Sequence, residues 1–136
     1  LLNEKYPKSF IGIADFKKMA EIYSASKIGF NSSIINDINM RLFEVMASGC
    51  FLLTNRIKNN GLEELFVNKE HLITYRNDKE MIELIDYYLN NEKEREAIAI
   101  RGYETVVNEH TYYHRVQTMF NYIAFKFGGK YNKLRI

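Results

Sequence analysis

One arginine and one glutamate lie inside an almost wholly apolar run of the sequence, NMRLFEVMASGC at residues 39–50. Arg41 and Glu44 are three residues apart, a spacing that places two side chains on the same face of an α-helix. A guanidinium group can hold a diphosphate through forked, charge-assisted hydrogen bonds. A carboxylate offers acceptor oxygens to the vicinal hydroxyls of a ribose or hexose. The simpler interpretation is an ion pair between the two side chains, which contributes about 0.5 kcal/mol or less.

Short apolar stretches alternate along the chain with longer stretches of helical periodicity. This alternation is typical of βα units that build a parallel sheet, so the sequence predicts an α/β fold with about four strands. The predicted strands are SFIGIA (9–14), KIGFNS (27–32), CFLLTN (50–55) and HLITY (71–75).

Three helices are predicted between these strands. Asp15 is the expected N-cap of a helix that continues to about Ser26. The apolar run predicts a second helix over residues 39–48, which Gly49 can end as a C′ residue. A short third helix is predicted over residues 61–66.

The last part of the sequence predicts three successive helices. Asn77 and Glu80 have the spacing of a capping box at the start of the first. The second, from about Glu92, is expected to be polar at first and to pack later through apolar residues. The third begins at Thr111.

The stretch from Asn31 to Arg41 is predicted to lie at the carboxyl edge of the sheet, where doubly wound proteins bind their ligands. The helix that begins there offers unpaired backbone amides and the positive end of its dipole, and both suit a phosphate group. A cation in the first turn of a helix is unexpected unless an anion binds nearby. The position therefore favours an anion-binding role for Arg41.

The composition indicates one domain of ordinary size, since 136 residues with 46% hydrophobic side chains can bury a core without disulfides. We assign residues 1–127 to that domain and the basic segment 128–136 to a tail, for which weak contact with a membrane surface is a minor interpretation. The 19 basic and 17 acidic residues are spread along the chain, so the sequence does not indicate a nucleic-acid partner. Because the sequence begins at Leu1, we expect it to be part of a longer protein.

Several classes of site are absent from the sequence. The glycine-rich phosphate-binding motifs and the G-x-S-x-G motif of serine nucleophiles do not occur. His110 and His114 have i, i+4 spacing but no further ligand beside them, so we expect no metal and no cofactor.

The single cysteine, Cys50, lies in an apolar run, which favours a buried thiol in a reducing compartment and a cytoplasmic location.

The order of motifs along the chain resembles a known family. The run NMRLFEVMASGCFLLTN, the segment GLEELF and the later stretch REAIAIRGYETVVNEHTYYHR look like the C-terminal domain of GT-B glycosyltransferases. The group 1 type with spore-maturation-like glycosyltransferase domains is the most similar, over roughly residues 10–123. The resemblance implies a Rossmann-like sheet, a nucleoside-diphosphate sugar as donor, and a glycan or other glycosylated molecule as acceptor.

The resemblance also implies roles for particular residues. Glu44 takes the place of a glutamate that binds the ribose of the donor, and Arg41 lies near the donor diphosphate or sugar, with Asn39 beside them. Many group 1 enzymes carry a second glutamate eight positions earlier, facing the transferred sugar, and this sequence has Asn36 there. That departure leaves the sugar and the stereochemical outcome open.

Asn31 and Thr54, at the ends of two strands, are expected to border the same cleft. In complete GT-B enzymes the acceptor site and commonly the catalytic base come largely from an N-terminal domain, so we assign no catalytic residue and expect the chain alone to be inactive. The sheet looks truncated, and its exposed edge predicts self-association. The alternative is a non-catalytic α/β interaction module with a vestigial nucleotide cleft, which Asn36 favours.

Overall fold

The computed structural model describes residues 2–127, which place helices on both faces of one parallel sheet. The three strands are β1 (Ile28–Asn31), β2 (Phe51–Asn55) and β3 (Ile73–Tyr75), in the order β1-β2-β3. The helices are α1 (Leu2–Lys5), α2 (Phe16–Ala25), α3 (Met40–Ala47), α4 (Leu62–Leu65), α5 (Asp78–Asn90), α6 (Glu92–Glu109) and α7 (Tyr112–Phe127). The predicted α/β class, parallel sheet and three C-terminal helices are confirmed. The predicted tail, 128–136, lies outside the described residues.

The central strand β2 is buried on both faces, as its continuous apolar sequence predicts. On one face Leu52 packs under α3, and on the other face Phe51 and Leu53 pack against α5. The α3 residues that reach this core are Leu42, Val45 and Met46. Burial of this apolar stripe holds α3 against the sheet, and because α3 follows β1 along the chain, its N-terminus lies toward the carboxyl edge of β1.

The segment predicted as the first strand, residues 9–14, forms no strand in the structure. Phe10, Ile11 and Ile13 in this segment are each more than half exposed. A strand is stabilised by backbone hydrogen bonds to a neighbouring strand, and within residues 2–127 no strand lies beside this segment. Within residues 2–127 the sheet therefore has three strands where about four were expected.

The predicted ends of the helices agree closely with the structure. Asp15 Oδ1 caps α2 by accepting the backbone N–H of its first turn, and Asn77 Oδ1 caps α5 by accepting that of Glu80 over 3.0 Å. Glu80 does not complete the predicted capping box, because its carboxylate accepts from the backbone N–H of Arg76 over 2.7 Å. Gly49 follows α3 with a φ of 72°, the left-handed conformation that glycine adopts readily.

The beginning of α6 is polar, as expected, and one of its polar residues, Arg95, is buried. This arginine is only 4% exposed. One guanidinium nitrogen donates to the carbonyl oxygen of Tyr88 over 2.7 Å, and the other contacts Glu92 Oε1 over 2.9 Å. The first turns of α6 are therefore joined to the end of α5 by a buried cation.

The structure also confirms that Cys50 is buried, with 2% of its surface exposed. Burial raises the pKa of its thiol to about 12, so the thiol stays protonated at neutral pH. Within the described part of the chain, no helix combines the length and apolar character needed to cross a bilayer.

The two edges of the sheet differ. The backbone N–H of Thr74 in β3 donates to Asn68 Oδ1, so a side chain occupies that edge. Strand β1 pairs only with β2 among residues 2–127. An edge strand without a partner offers backbone groups to another chain, and self-association through β1 stays a prediction.

Replacement of Gly102 by alanine is expected to destabilise the fold by about 1 to 2 kcal/mol. A methyl group at this position of α6 would overlap the backbone carbonyl oxygen of His71, which cannot move aside as a flexible side chain could. This overlap outweighs the gain in helix propensity from alanine, which is about 1 kcal/mol. Urea unfolding of the two proteins measures the difference. An unchanged midpoint would show that α6 can shift away from His71 without loss.

Candidate functional site

Two polar side chains meet at the carboxyl ends of β1 and β2. Asn31 and Thr54 are neighbours in the parallel register, and Asn31 Nδ2 donates to Thr54 Oγ1 over 3.0 Å. Both residues are fully buried, and Asn31 Oδ1 has no hydrogen-bond partner in the described chain. Asn31 and Thr54, both predicted to border the cleft, are therefore in contact with each other. Because both are buried, they present no hydrogen-bonding group to solvent.

The loop that follows β1 is attached to the end of β2 by a side-chain amide. Asn55 Oδ1 accepts the backbone N–H of Ser33 over 2.7 Å, and Asn55 Nδ2 donates to the carbonyl oxygen of Ser33 over 2.9 Å. The Ser33 hydroxyl pairs with the Asp37 carboxylate and also accepts the backbone N–H of Asp37 over 2.7 Å. These bonds fold residues 33–37 into a closed turn just before α3.

Asn36, predicted at the sugar-facing position, makes a second bond pair of the same kind. Its Nδ2 donates to the carbonyl oxygen of Lys58 over 2.6 Å, and its Oδ1 accepts the backbone N–H of Lys58 over 2.9 Å. Asn60 Nδ2 donates in turn to the carbonyl oxygen of Asn36 over 2.6 Å. The carboxamide of Asn36 is therefore occupied by the loop after β2.

Asn39, predicted to lie beside Arg41 and Glu44 at the donor site, is the N-cap of α3. Its backbone is extended, but its side chain makes no capping hydrogen bond, and its Oδ1 is buried without a partner in the described chain. The first N–H groups of an α-helix have no partner within the helix, and their dipoles attract negative charge. The N-terminus of α3 thus presents backbone donors at the carboxyl edge of the sheet.

Arg41 and Glu44 follow in the first two turns of α3. Arg41 is exposed and Glu44 is half-buried. The ion pairs found within residues 2–127 do not join these two side chains, so the simple ion-pair interpretation does not describe this structure. Neither charge is therefore neutralised by the other at the start of α3.

Tyr23 of α2 lies close to this pair, although no sequence pattern marks it as a site residue. The pKa of its hydroxyl is raised, first by burial and then by the negative charge of Glu44, while Arg41 opposes the rise. The tyrosine is partly buried against the core that holds α3. Tyr23 is therefore a further neighbour of Arg41 and Glu44 at the start of α3.

His110, the C-cap of α6, and His114, in α7, contact neighbouring residues of the fold. The His110 ring packs edge-on against Phe66, and its Nε2 lies 3.4 Å from the carbonyl oxygen of Leu65. His114 Nδ1 contacts the Thr111 hydroxyl over 2.7 Å. The described part of the chain contains no group of three side chains suited to a metal ion.

A groove of about 480 Å³ lies elsewhere, along the outer edge of β3. Its lining includes Arg56, Lys69 and Arg76, and Arg76 is paired with Glu80 over 3.1 Å. None of the six predicted binding residues lines this groove. Arg41 and Glu44 lie instead at the start of α3, where Arg41 is exposed and Glu44 is half-buried.

The sequence matches the family model described as "Glycosyl transferase-like" over residues 3–121. No curated protein matches the sequence. Among solved structures, the chain is similar to the C-terminal domain of a glycosyl transferase group 1 family protein, LpcC, from Francisella tularensis, with a TM-score of 0.63 and 22% sequence identity. The match covers 76% of this chain and 53% of that one, so this chain spans about half the length of that structure.

Proposed function

Because the chain belongs to the glycosyl transferase-like family and has the fold of a GT-B C-terminal domain, we propose that it binds the nucleoside-diphosphate sugar of a glycosyltransferase. One observation carries the proposal: Arg41 and Glu44 stand one turn apart at the N-terminus of α3 and are not paired with each other. A cation for a diphosphate and a carboxylate for sugar hydroxyls are both available there.

In this proposal the diphosphate lies over the N-terminus of α3. The guanidinium of Arg41 donates forked hydrogen bonds to the phosphate oxygens, and the first-turn amides of the helix add further donors. Asn39, as the N-cap, lies beside these amides and offers a carboxamide to the same ligand. Charge that develops on the diphosphate as the sugar leaves is stabilised by these same groups.

Glu44 lies one turn further along α3, where the ribose of the donor is placed. Its carboxylate accepts hydrogen bonds from the two vicinal hydroxyls. Asn31 and Thr54 support this edge of the sheet from below. The chain thus orients the donor, and the acceptor and the catalytic base come from another part of a complete enzyme, so we expect no efficient turnover by this chain alone.

Replacement of Glu44 by alanine is expected to weaken binding of uridine or guanosine diphosphate by about tenfold or more, because hydrogen bonds to a charged acceptor are lost. Calorimetric titration of both nucleotides into both proteins measures the effect. A diphosphate whose ribose lacks the vicinal hydroxyls should bind the two proteins equally.

Glu96→Ala, at a remote exposed position of α6, is the matched control for the loss of one negative charge. An equal loss of affinity for the ligands with and without ribose hydroxyls would remove Glu44 from the ribose site.

A non-catalytic interaction module is the second candidate function. The observation that favours it is the position of Asn36, whose carboxamide is occupied by Lys58 where related enzymes carry a sugar-facing glutamate. Failure of both nucleoside diphosphates to bind, even when the chain is joined to an upstream domain, would support this candidate.

A further inference from the structure

Two asparagines join the loops at the carboxyl edge of the sheet in the same way. Asn55 pairs with both backbone groups of Ser33, and Asn36 pairs with both backbone groups of Lys58. We refer to these four residues as the carboxamide clasp. Each loop contributes one carboxamide and one backbone residue, so the loops after β1 and β2 hold each other reciprocally.

We propose that Asn36 is a positioning residue that acts through the carboxamide clasp on the start of α3. The clasp fixes the loop at residues 32–39, and this loop ends at Asn39, the N-cap of α3, two residues before Arg41. The proposal rests on the proposed function, because the group that Asn36 positions is the donor-binding end of α3. Asn36 thus serves the donor site without a direct contact to the sugar.

The chemistry of the clasp requires an amide. A carboxamide carries a donor and an acceptor side by side, which matches the N–H and C=O groups of one backbone residue. A carboxylate has only acceptors and would place an oxygen where Nδ2 now lies 2.6 Å from the carbonyl oxygen of Lys58. A glutamate or aspartate at position 36 is therefore incompatible with the clasp while it is ionised.

The backbone at Asn36 supports the same interpretation. Its φ is 58°, in the left-handed region that asparagine tolerates better than most residues. This conformation turns the side chain toward the loop after β2, while Asn60 binds the carbonyl oxygen of Asn36 from the same loop. Three hydrogen bonds between Asn36 and the loop after β2 therefore depend on the left-handed backbone conformation of this residue.

The test compares Asn36→Asp with Asn59→Asp. Asn59 lies in the loop after β2, is exposed, and also has a positive φ of 55°, but its side chain makes no hydrogen bond within the described residues. Both variants add one negative charge at the same edge of the molecule. Amide hydrogen exchange at Lys58 then reports the Asn36 side of the clasp directly, and exchange at Asp37 reports the turn before α3, both without any nucleotide.

Near neutral pH, Asn36→Asp should speed the exchange of these two amides by about tenfold relative to Asn59→Asp, because repulsion between the carboxylate and the carbonyl oxygen of Lys58 separates the two loops and takes the acceptor away from the Lys58 N–H as well. Protonation gives the introduced carboxyl an O–H donor beside its C=O acceptor, so the protection should return as the pH is lowered toward about 4. The sign follows from linkage: the folded state favours the protonated carboxyl, so the stabilisation is present at low pH and lost as the pH rises. Exchange that is equal in the two variants at every pH would overturn the clasp.

Uridine diphosphate affinity, measured on the same proteins near neutral pH, tests the positioning role. Asn36→Asp should weaken binding by about tenfold relative to Asn59→Asp, and Asn36→Gly, which suits the left-handed backbone but has no amide, should weaken it similarly. Faster exchange without any loss of affinity would overturn the positioning role. If the unmodified protein does not bind the nucleotide, the proposed function fails with the positioning role, while the exchange measurements still decide the clasp.

Discussion

Replacing Arg41 with alanine is expected to lower the affinity for uridine and guanosine diphosphate by about ten- to a hundredfold, since charge-assisted hydrogen bonds to phosphate contribute roughly 1.5 to 3 kcal/mol each. The exposed guanidinium projects from the first turn of α3, where it is not paired with Glu44. The change removes the one side-chain cation in that turn, and the helix amides remain. Calorimetric titration of wild type and variant measures the loss.

Three comparisons make this result specific to the diphosphate. Uridine, which has no phosphate, should bind both proteins equally. Arg41→Lys keeps the charge but not the forked geometry, so its affinity should lie between those of the other two proteins. Lys93→Ala removes an exposed cation from α6 and should leave the affinity unchanged. A loss that is as large for uridine as for its diphosphate would show that Arg41 acts on the fold and not on phosphate.

The position of this site follows from sequence patterns that act over short distances. Helical periodicity over residues 39–48 and the glycine after it define α3, and the apolar strand before it places the N-terminus of α3 at the carboxyl edge of the sheet. Arg41 and Glu44 then fall on the first two turns without any knowledge of distant contacts. Family resemblance added their roles, and the fold that it implied is confirmed.

The rest of the site depends on contacts between segments far apart in the sequence. Asn36 and Lys58 are 22 residues apart, and no local pattern shows that the loops after β1 and β2 lie side by side. Tyr23 reads as an ordinary apolar position of α2, and only the packing of α2 beside α3 brings it to Arg41. Asn55 could have been singled out as an asparagine at the end of a predicted strand. This signal is weak, because asparagine is common in turns.

The predicted strand at residues 9–14 shows the opposite error. Its residues have the composition of a strand, but strand formation requires a neighbour, and the described chain places none there. Composition therefore predicted a local preference that tertiary structure did not satisfy. Nor does any local pattern show that Arg95, in the polar first turns of α6, is buried.

Replacement of Arg95 by alanine is expected to lower the free energy of unfolding by about 2 to 4 kcal/mol, a large share of the stability of a domain of this size. The change removes a buried aliphatic stem and leaves the carbonyl oxygen of Tyr88, at the end of α5, without its 2.7 Å donor. Glu92 loses its partner as well, but its side chain is 61% exposed and stays solvated. Most of the loss therefore comes from packing and from the unpaired carbonyl.

Urea unfolding of Arg95→Ala, Arg95→Met and Lys93→Ala separates these contributions. Lys93→Ala, on the exposed side of the same helix, should change stability by no more than about 0.5 kcal/mol. Arg95→Met restores the buried stem without the hydrogen bonds, so it should recover about half of the loss. If Arg95→Met were as unstable as Arg95→Ala, the hydrogen bonds to Tyr88 and Glu92 would account for the whole effect. If Arg95→Ala were no less stable than Lys93→Ala, the guanidinium would not join α5 to α6 in solution.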